Sequence, residues 1–474
     1  MDSAMIQRMI IAAMFGLVLG LISYWSIRLG LRGREKDGRR VYASFSYYGA
    51  LPFVLLILGA ISRLMLGDEA DPMLFTSLFS VAVSLTVYYV LLALLMPWLR
   101  RRISSWACGA LWLVPNVLYI LARDNMRLPA PLLVIKTSEG LMSALLGVWF
   151  AGFLLIMAWK TAEHLLFRRR VLKNAEKLKV PLWDDVFGQV CPNRNRPPLY
   201  RSREAVTPLT IGLFAGNRVV VLPVRDYTDE ELRLVLTHEA VHIARFDAVS
   251  KLGLVSMAAF CWFNPLVWLA IRRSAEDIEL SCDEAVTLGA GEAERRRYAD
   301  LILSSAGDER GFTTCLSARA SSLRYRLHQV MRPAAKRSGA LLIGFAAFFL
   351  ILGCGHIAFA YGGGTGEELI FDGLDTSLYT VSDGSCTDPE GLKDYVASLE
   401  LMELTEEYDF DLDGVRHRVI VFDAPGDQGK QISVDFYDNI VEFRPLFIKL
   451  DHWAEYYYLP EGTDWELLDS FFAS

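Results

Sequence analysis

The chain has 474 residues, of which 53% are hydrophobic, and its mean hydropathy is +0.28. This composition excludes an ordinary soluble globular protein, because the apolar residues are too many and are gathered into long runs. The formal net charge of −7 is unevenly divided, since an acidic C-terminal part follows a main part that is net basic.

Six apolar stretches approach the length of about 20 residues that a membrane-spanning helix needs. They are Ile6–Leu31, Tyr47–Leu66, Met73–Leu99, Ser105–Ala122, Pro131–Leu166 and Gly339–Tyr361. The fourth is short and contains Pro115 and Asn116, so it is the weakest of the six. The first is a retained anchor rather than a signal peptide, because no basic cluster precedes it and no small-residue cleavage site follows.

The basic loops predict one orientation in the membrane, because cytoplasmic loops are enriched in lysine and arginine. These loops are Arg28–Arg40, Arg100–Arg102 and Phe167–Lys179, whereas Gly67–Asp71 is acidic. Alternation places the N-terminus outside and requires five spans before residue 167, so the weak fourth stretch is kept as a span. The predicted organisation is a membrane domain (1–166), a cytoplasmic domain (167–338), a last transmembrane helix (339–361) and an exterior domain (362–474).

The cysteines and glycines add two expectations. The seven cysteines are scattered without a C-x-x-C pair, which excludes the usual cysteine zinc ribbon, and only Cys386 lies in the predicted exterior domain. The glycine-rich stretch Tyr361–Gly366 is typical of a flexible linker after the last span.

The predicted cytoplasmic domain contains two histidines at helical spacing. Thr207–Pro223 reads as a β-hairpin, and Thr228–Glu231 (TDEE) is a capping box that predicts the start of a helix. The helix continues through LTHEAVH, so His238 and His242 lie one turn apart on one face. Two surface histidines on an amphipathic helix would give the same pattern. The apolar residues around them favour a zinc site instead.

A catalytic zinc ion needs three protein ligands and a water, and a glutamate that takes the proton of that water. Glu239 follows the first histidine and is the candidate general base. Downstream, Glu279 could be the third ligand and Asp283, on the same face four residues later, could orient a ligand histidine. Glu276 competes with Glu279, although acidic residues near a helix start are also common for electrostatic reasons.

The apolar run Leu252–Ile271 separates the two parts of this predicted zinc site. If it crossed the bilayer, Glu279 would lie about 30 Å from His238 and no shared site could form. Asn264 and Pro265 interrupt the run, which favours two short helices that fold back on each other.

The motifs GLFAGNRVVVLP, ELRLVLTHEAVHIARFD, FNPLVWLA and ELSCDEAV, in this order, resemble the BlaR/MecR-type membrane zinc metallopeptidases. The resemblance covers roughly residues 1–361 and implies a mainly α fold. In that fold a polytopic helical membrane domain carries an inserted gluzincin-like α+β zinc peptidase domain and a small C-terminal α+β exterior domain. It implies Zn²⁺ ligands at His238, His242 and Glu279, a general base at Glu239 and an outer partner of a ligand at Asp283.

The resemblance also implies a bacterial cell-membrane protein that converts an exterior signal into cytoplasmic proteolysis. Its substrates would be the chain itself, with Leu316–Arg326 as a candidate cleavage segment, and a winged-helix repressor. A surface loop leading to a helix explains that segment equally simply. A housekeeping membrane protease and a receptor or scaffold with an inactive site are the alternatives. No direct contact with nucleic acid is expected, and a homodimer is left open.

The exterior domain departs from the β-lactam sensors of this family, which have an S-x-x-K serine and a K-T-G motif. Residues 362–474 contain neither motif, so β-lactam acylation is not expected and the exterior ligand is unknown. The pattern predicts a helix near Pro389–Leu401 and strands in DFDL, VRHRVIVFD, KQISVDFYD, IVEFR and EYYYLP. DFDLDG (409–414) resembles the start of a calcium loop, but Ile420 stands where an acidic ligand is needed, so a hairpin turn is favoured.

Overall fold

The computed structural model shows a mostly helical chain with two β-sheets. It describes residues 3–32, 57, 60–61, 70–118, 133–191, 194–213, 216–305, 320–332, 336–353, 357–371, 376–404, 416–423, 431–445 and 455–472. The predicted span Tyr47–Leu66 lies almost entirely outside these residues, and so do DFDLDG and the first part of Leu316–Arg326.

Three helices in the described part of the chain are long and apolar enough to cross a membrane. They are α1 (Ser3–Arg32), α2 (Ala70–Leu99) and α4 (Glu139–Leu172), with apolar segments Arg8–Ile27, Leu74–Leu99 and Glu139–Leu172. All three coincide with predicted spans. Many of their large apolar side chains are exposed in the isolated chain, as expected for surfaces that face lipid.

In the described part of the predicted span Ser105–Ala122, the helix is much shorter than predicted. Ser105–Leu113 forms a nine-residue helix, α3, and Val114–Val117 forms a 3₁₀ turn that contains Pro115. Nine helical residues extend about 14 Å, less than half of the hydrocarbon core. Every residue of α3 is buried in protein, so its apolar character reflects packing against other helices rather than contact with lipid.

In two predicted spans, one end forms a strand instead of continuing the helix. In Pro131–Leu166, strand β1 (Leu133–Lys136) precedes α4, which starts after Ser138 caps it by accepting from the Leu141 amide. In Gly339–Tyr361, helix α11 (Ala340–Gly353) gives way to strand β6 (Ile357–Thr365). Short apolar runs do not distinguish strand from helix, which is why the sequence pattern missed both strands.

The predicted glycine linker after the last span is wrong. Tyr361–Thr365 belongs to strand β6, whose register shifts between Tyr361 and Gly364. Gly362 and Gly363 have positive φ angles of 61° and 146°, and glycine adopts such angles without strain. The glycines therefore shape a bulge within a sheet instead of a free connection.

The first and last apolar helices pack closely and antiparallel. A Cβ atom on Gly16 of α1 would lie 2.7 Å from the Gly344 carbonyl oxygen of α11, and Gly20 lies beside the same residue. Small residues let two helix backbones approach in this way, which favours association inside a membrane. Near the C-terminal end of α11, the buried Arg8 guanidinium of α1 donates to the Ile351 carbonyl.

The middle of the chain combines a four-stranded sheet with six helices. The sheet order is β2-β3-β5-β4, with β4 at one edge and the predicted hairpin formed by β4 and β5. The elements are β2 (Glu176–Leu178), α5 (Pro181–Val190), β3 (Leu199–Ser202), β4 (Leu209–Ile211), β5 (Val219–Pro223), α6 (Asp229–Ala244), α7 (Asp247–Phe260), α8 (Pro265–Val286), α9 (Glu292–Ser305) and α10 (Ala320–Met331).

Helices α7 and α8 form the predicted fold-back, and their connection lies between two of the long apolar helices. Asn264 caps α8 by accepting from the Leu266 amide, and its side-chain amide donates to Thr86 of α2. On the other side, the Trp149 indole of α4 donates to the Phe260 carbonyl. The chain therefore reverses at residues 261–264, and both ends of the predicted zinc motif return to the same side.

The C-terminal part is built on an eight-stranded sheet of order β1-β6-β8-β12-β11-β10-β9-β7. Its further elements are α12 (Gly366–Leu369), β7 (Thr380–Val381), α13 (Pro389–Ser398), β8 (Glu400–Leu404), β9 (Arg418–Asp423), β10 (Gln431–Phe436), β11 (Ile440–Pro445), β12 (Glu455–Tyr458) and α14 (Trp465–Ser470). The predicted helix and four of the five predicted strands agree with these bounds. Strand β1, which lies more than 200 residues away in the chain, pairs in parallel with β6 along Leu133–Lys136.

Candidate functional site

Helix α6 presents the two histidines. Its capping box is complete, because Thr228 accepts from the Glu231 amide and Glu231 accepts from the Thr228 amide. The apolar residues of α6 pack against α5 and the four-stranded sheet in one hydrophobic cluster. This packing fixes the rotation of the helix and turns His238 and His242 toward α8.

The side chains of His238, His242 and Glu279 converge. The two Nε2 atoms are 3.0 Å apart, and Glu279 Oε2 lies 3.7 Å from His238 Nε2 and 3.6 Å from His242 Nε2. Three ligand atoms around a tetrahedral zinc ion, each about 2.0–2.1 Å from it, lie about 3.3 Å from one another. The three observed separations bracket that value, so this donor set fits a zinc ion.

Asp247 fixes the orientation of His242. Its Oδ2 atom lies 2.7 Å from His242 Nδ1, and both side chains are buried. The connection from α6 to α7 passes through Phe246, whose φ of 57° is unusual for a residue other than glycine. This left-handed turn places Asp247 beside the histidine. A carboxylate at Nδ1 holds the tautomer that leaves Nε2 free for a metal ion.

His238 is oriented through a tyrosine. The Tyr298 hydroxyl lies 2.7 Å from His238 Nδ1 and donates to Asp283 Oδ1 at 2.8 Å. Because the Tyr298 hydroxyl donates its hydrogen bond to Asp283, its oxygen is left to accept a hydrogen bond from His238 Nδ1–H. The Nε2 atom of His238 is then unprotonated and faces the convergence point. Asp283 is therefore linked to His238 through the Tyr298 hydroxyl, while the sequence had predicted only that Asp283 orients one of the two histidines. Arg326 of α10 anchors Asp283 by donating to both of its oxygens, at 2.7 and 2.9 Å.

Glu239, which follows His238 in the chain, is buried and contacts the edge strand of the small sheet. Its Oε2 atom accepts from the Thr210 hydroxyl of β4 at 2.6 Å. The hydrogen bond restrains the carboxylate next to His238. Thr210 was not predicted as a site residue, because nothing in the sequence links a strand residue to a helix that follows it by about 20 positions.

Glu279 is surrounded by cationic and imidazole groups. Lys251 of α7 donates to its Oε1 atom at 3.1 Å, while its Oε2 atom faces the histidines. Burial alone would raise the pKa of the Glu279 carboxyl, but Lys251 and the imidazoles hold that pKa well below its usual value. The side chain is therefore a carboxylate, as a metal ligand must be.

The competing candidate Glu276 points elsewhere. Its carboxylate contacts Arg100 and Arg273 on the side of α8 that faces α2. Next to it, the buried Asp277 pairs with Arg100 at 2.8 Å and accepts from the Trp112 indole of α3 at 2.9 Å. Helix α8 thus presents one carboxylate to the histidines and others to the membrane helices.

Cys282 is a further group near the histidines. His238, His242 and Cys282 offer possible ligand atoms within 4.8 Å of one another among the described residues. However, the sulfur lies 3.5 Å from His238 Nδ1, the ring nitrogen that contacts Tyr298, whereas Glu279 Oε2 lies within 3.7 Å of both Nε2 atoms. The geometry therefore favours Glu279 over Cys282 as the third donor.

Four residues around the histidines were not predicted as site residues, namely Asp247, Tyr298, Arg326 and Lys251. Asp247 had a local signal, since it ends the HIARFD stretch five residues after His242 and begins the next helix. The other three reach the site from different helices, and no spacing rule connects them to the histidine motif.

The fold and the site define a membrane-type helical protein with a metallopeptidase-like centre. Residues 120–330 match the family model described as BlaR1 peptidase M56. This match covers less than half of the chain, and it agrees with the resemblance to the BlaR/MecR-type metallopeptidases that the motifs predicted.

Curated relatives agree with this assignment. The regulatory protein BlaR1 of Bacillus licheniformis is 27% identical over 132 residues, which are 28% of this chain and 21% of that protein. The methicillin resistance mecR1 protein of Staphylococcus aureus (strain Mu50 / ATCC 700699) is 28% identical over 99 residues, which are 20% of this chain and 17% of that protein. The chain thus covers about a fifth of the length of these curated relatives.

Proposed function

We propose that the chain is a membrane zinc endopeptidase that converts a signal at its C-terminal domain into proteolysis on the other side of the membrane. The observation that supports this most directly is the convergence of His238 Nε2, His242 Nε2 and Glu279 Oε2. In this proposal the three converging residues hold the zinc ion. A zinc ion held there supplies a Lewis acid for the peptide carbonyl and lowers the pKa of a bound water.

The side chains around the centre have separate roles in the proposed reaction. Glu239 accepts the proton of the attacking water, and Thr210 restrains one of its oxygens so that the other is available for that proton. Asp247 and the Tyr298–Asp283 pair keep both imidazoles in the tautomer with Nε2 free. Strand β4 is the edge of its sheet, so its outer backbone can pair with an extended peptide substrate next to Glu239.

The sheet topology supports the proposed transmembrane arrangement. Strand β1 comes just before α4, and strand β6 comes just after α11. Because β1 and β6 pair, the first end of α4 and the last end of α11 lie on the same side of the proposed membrane. The other ends of both helices lead to residues 173–338, which carry the site. Together with the basic loops Arg28–Arg40 and Phe167–Lys179, this pairing supports our proposal that the peptidase is cytoplasmic and that residues 362–474 are outside. Substrates proposed by analogy are the chain itself and a winged-helix repressor.

The test of catalysis is the Glu239→Gln variant of the full chain, which keeps the acceptor for Thr210 but cannot take a proton. We expect its zinc content to equal that of the wild type, while cleavage of the chain or of an added repressor falls by about 10²–10⁴-fold. A His242→Ala variant is expected to lose zinc as well as cleavage. Zinc-loaded Glu239→Gln that cleaves at the wild-type rate would rule out the peptidase.

The orientation has its own test, so that its failure does not affect the catalytic proposal. A tag after Ser474 and a tag inserted after Gly291 are compared in intact cells with a protease added outside. We expect removal of the C-terminal tag alone. Removal of the tag at residue 291 alone would reverse the proposed orientation.

A further inference from the structure

A cavity of about 330 Å³ lies where several apolar helices end, away from the convergence point of the histidines. Ile27 on its wall is the last residue of the apolar segment of α1, and Trp106 belongs to the first turn of α3. Ser338 on the same wall comes just before α11. The cavity therefore lies at the level where the chain passes from apolar to polar surroundings.

The polar wall of this cavity is cationic. Four basic residues line it, namely Arg245, Arg295, Lys336 and Arg337, together with the carboxylates of Asp283 and Glu284. Both carboxylates are neutralised by close partners, because Asp283 binds Arg326 and Glu284 binds Lys336. Arg295 and Arg337 have no carboxylate partner within the described ranges, and the Arg295 Nε atom is buried without a hydrogen bond there. Two guanidinium charges are thus available for an anion.

The rest of the wall is apolar and continuous with the helices. Ile27, Trp106, Leu280 and Val330 form this part. A free inorganic anion gains nothing from such a wall, whereas the glycerol and first acyl carbons of a lipid are stabilised by it. Guanidinium groups bind phosphate through paired hydrogen bonds, and basic pockets between helices at the membrane surface bind lipid head groups.

We propose that this cavity binds the phosphate head group of an anionic phospholipid, with Arg295 and Arg337 contacting the phosphate. The glycerol and proximal acyl carbons lie against Ile27 and Trp106. None of the three proposed zinc ligands lines this cavity, although Asp283, which orients His238 through Tyr298, does, and lipid binding does not depend on the peptidase function.

The test uses the full chain purified in a neutral detergent, with short-chain phosphatidylglycerol as the probe and short-chain phosphatidylcholine as the neutral comparison. Binding is followed by native mass spectrometry and titration calorimetry. The variant Arg295→Gln/Arg337→Gln is compared with a matched control, Arg296→Gln/Arg332→Gln. The control removes the same charge from an exposed neighbour on α9 and from an exposed residue near Lys336, neither of which lines the cavity.

We expect saturable binding of phosphatidylglycerol that is stronger than that of phosphatidylcholine. The double variant in the cavity should weaken it by about fivefold for each arginine, and the control should leave it unchanged. Equal weakening in both double variants would show that binding depends on overall charge and would overturn the site. Equal binding of the two lipids, or displacement of phosphatidylglycerol by inorganic phosphate at a similar concentration, would overturn the assignment to an anionic lipid.

Discussion

Two buried glutamates in this chain show opposite electrostatic settings. Glu279 of α8 lies among two imidazoles and Lys251, and its pKa is held well below the usual value. Glu442 of β11 is also buried, but it lies across the strand pair from Asp435, and tyrosine hydroxyls and Arg444 surround it. Burial raises the pKa of Glu442, and Asp435 adds to this while Arg444 opposes it.

The difference shows that burial alone does not define a metal site. In the peptidase region, the acceptor groups converge on one point, and their outer atoms are held by Asp247, Tyr298 and Lys251. In the C-terminal sheet, Asp435 accepts from Ser433 and Glu442 accepts from Arg444, each two positions away on the same strand. The first arrangement is suited to a cation, and the second to a proton.

The largest expected effect is the loss of zinc affinity in Glu279→Gln. One of three proposed protein ligands is lost, so affinity should fall by about a thousandfold or more. The matched control is Glu276→Gln, one turn earlier on α8, whose carboxylate contacts Arg100 and Arg273 instead. Competition with a chelating dye measures both. Similar affinities in the two variants would remove Glu279 from the metal site.

A third buried carboxylate, Asp277, should affect stability rather than zinc binding. In Asp277→Ala the Arg100 guanidinium and the Trp112 indole lose their partner. We expect the free energy of unfolding to fall by about 3 kcal/mol, the lower end for a buried pair because Arg100 retains some exposure. Thermal unfolding of the full chain in detergent measures it.

The double variant Arg100→Met/Asp277→Leu supplies the control for this pair. It removes both charges together and should recover most of the lost stability. If the double variant is as unstable as Asp277→Ala, packing rather than the unpaired charge explains the loss.

A smaller effect is expected for Asp247→Asn. The amide can still accept a hydrogen bond from His242 Nδ1 but carries no charge, so zinc affinity should fall by about 10–100-fold. The fold should persist because the side chain keeps its shape. Calorimetric zinc titration against the wild type gives the value, and an unchanged affinity would limit Asp247 to a structural role.

The smallest effect concerns pH and the C-terminal sheet. The raised pKa values of Glu442 and Asp435 mean that the folded state takes up protons before the unfolded state as the pH falls. The free energy of unfolding should therefore rise as the pH drops from neutral through these raised pKa values toward about 4. Pulse proteolysis in urea, followed through a C-terminal tag, measures this change in the free energy of unfolding. Glu442→Gln should flatten this dependence, and a wild-type domain that loses stability over the same range would contradict it.

The sequence could predict that the proposed ligands lie close together, because they belong to two regular helices. His238 and His242 share a face by helical spacing, and the break at Asn264–Pro265 allowed Glu279 to return to them. Tyr298 and Arg326 could not be predicted, because their contacts depend on how α9 and α10 pack. Strands β1 and β6 were also missed, because each was taken for the end of an apolar span. A short apolar strand is identified mainly by the strand it pairs with, and these two are more than 200 residues apart in the chain.

The pairing of β1 with β6 has a consequence for what happens after a cut. Residues 306–319 lie between the site and α11, so cleavage in this segment divides the chain into two fragments. The N-terminal fragment contains β1, α1 and the proposed zinc ligands, and the C-terminal fragment contains β6 and α11. Four residue pairs of the parallel ladder and the close contact between Gly16 and Gly344 would still hold the fragments together. Under the proposed function, a cut there would relax the connection between the C-terminal domain and the proposed zinc site while the two fragments stay associated.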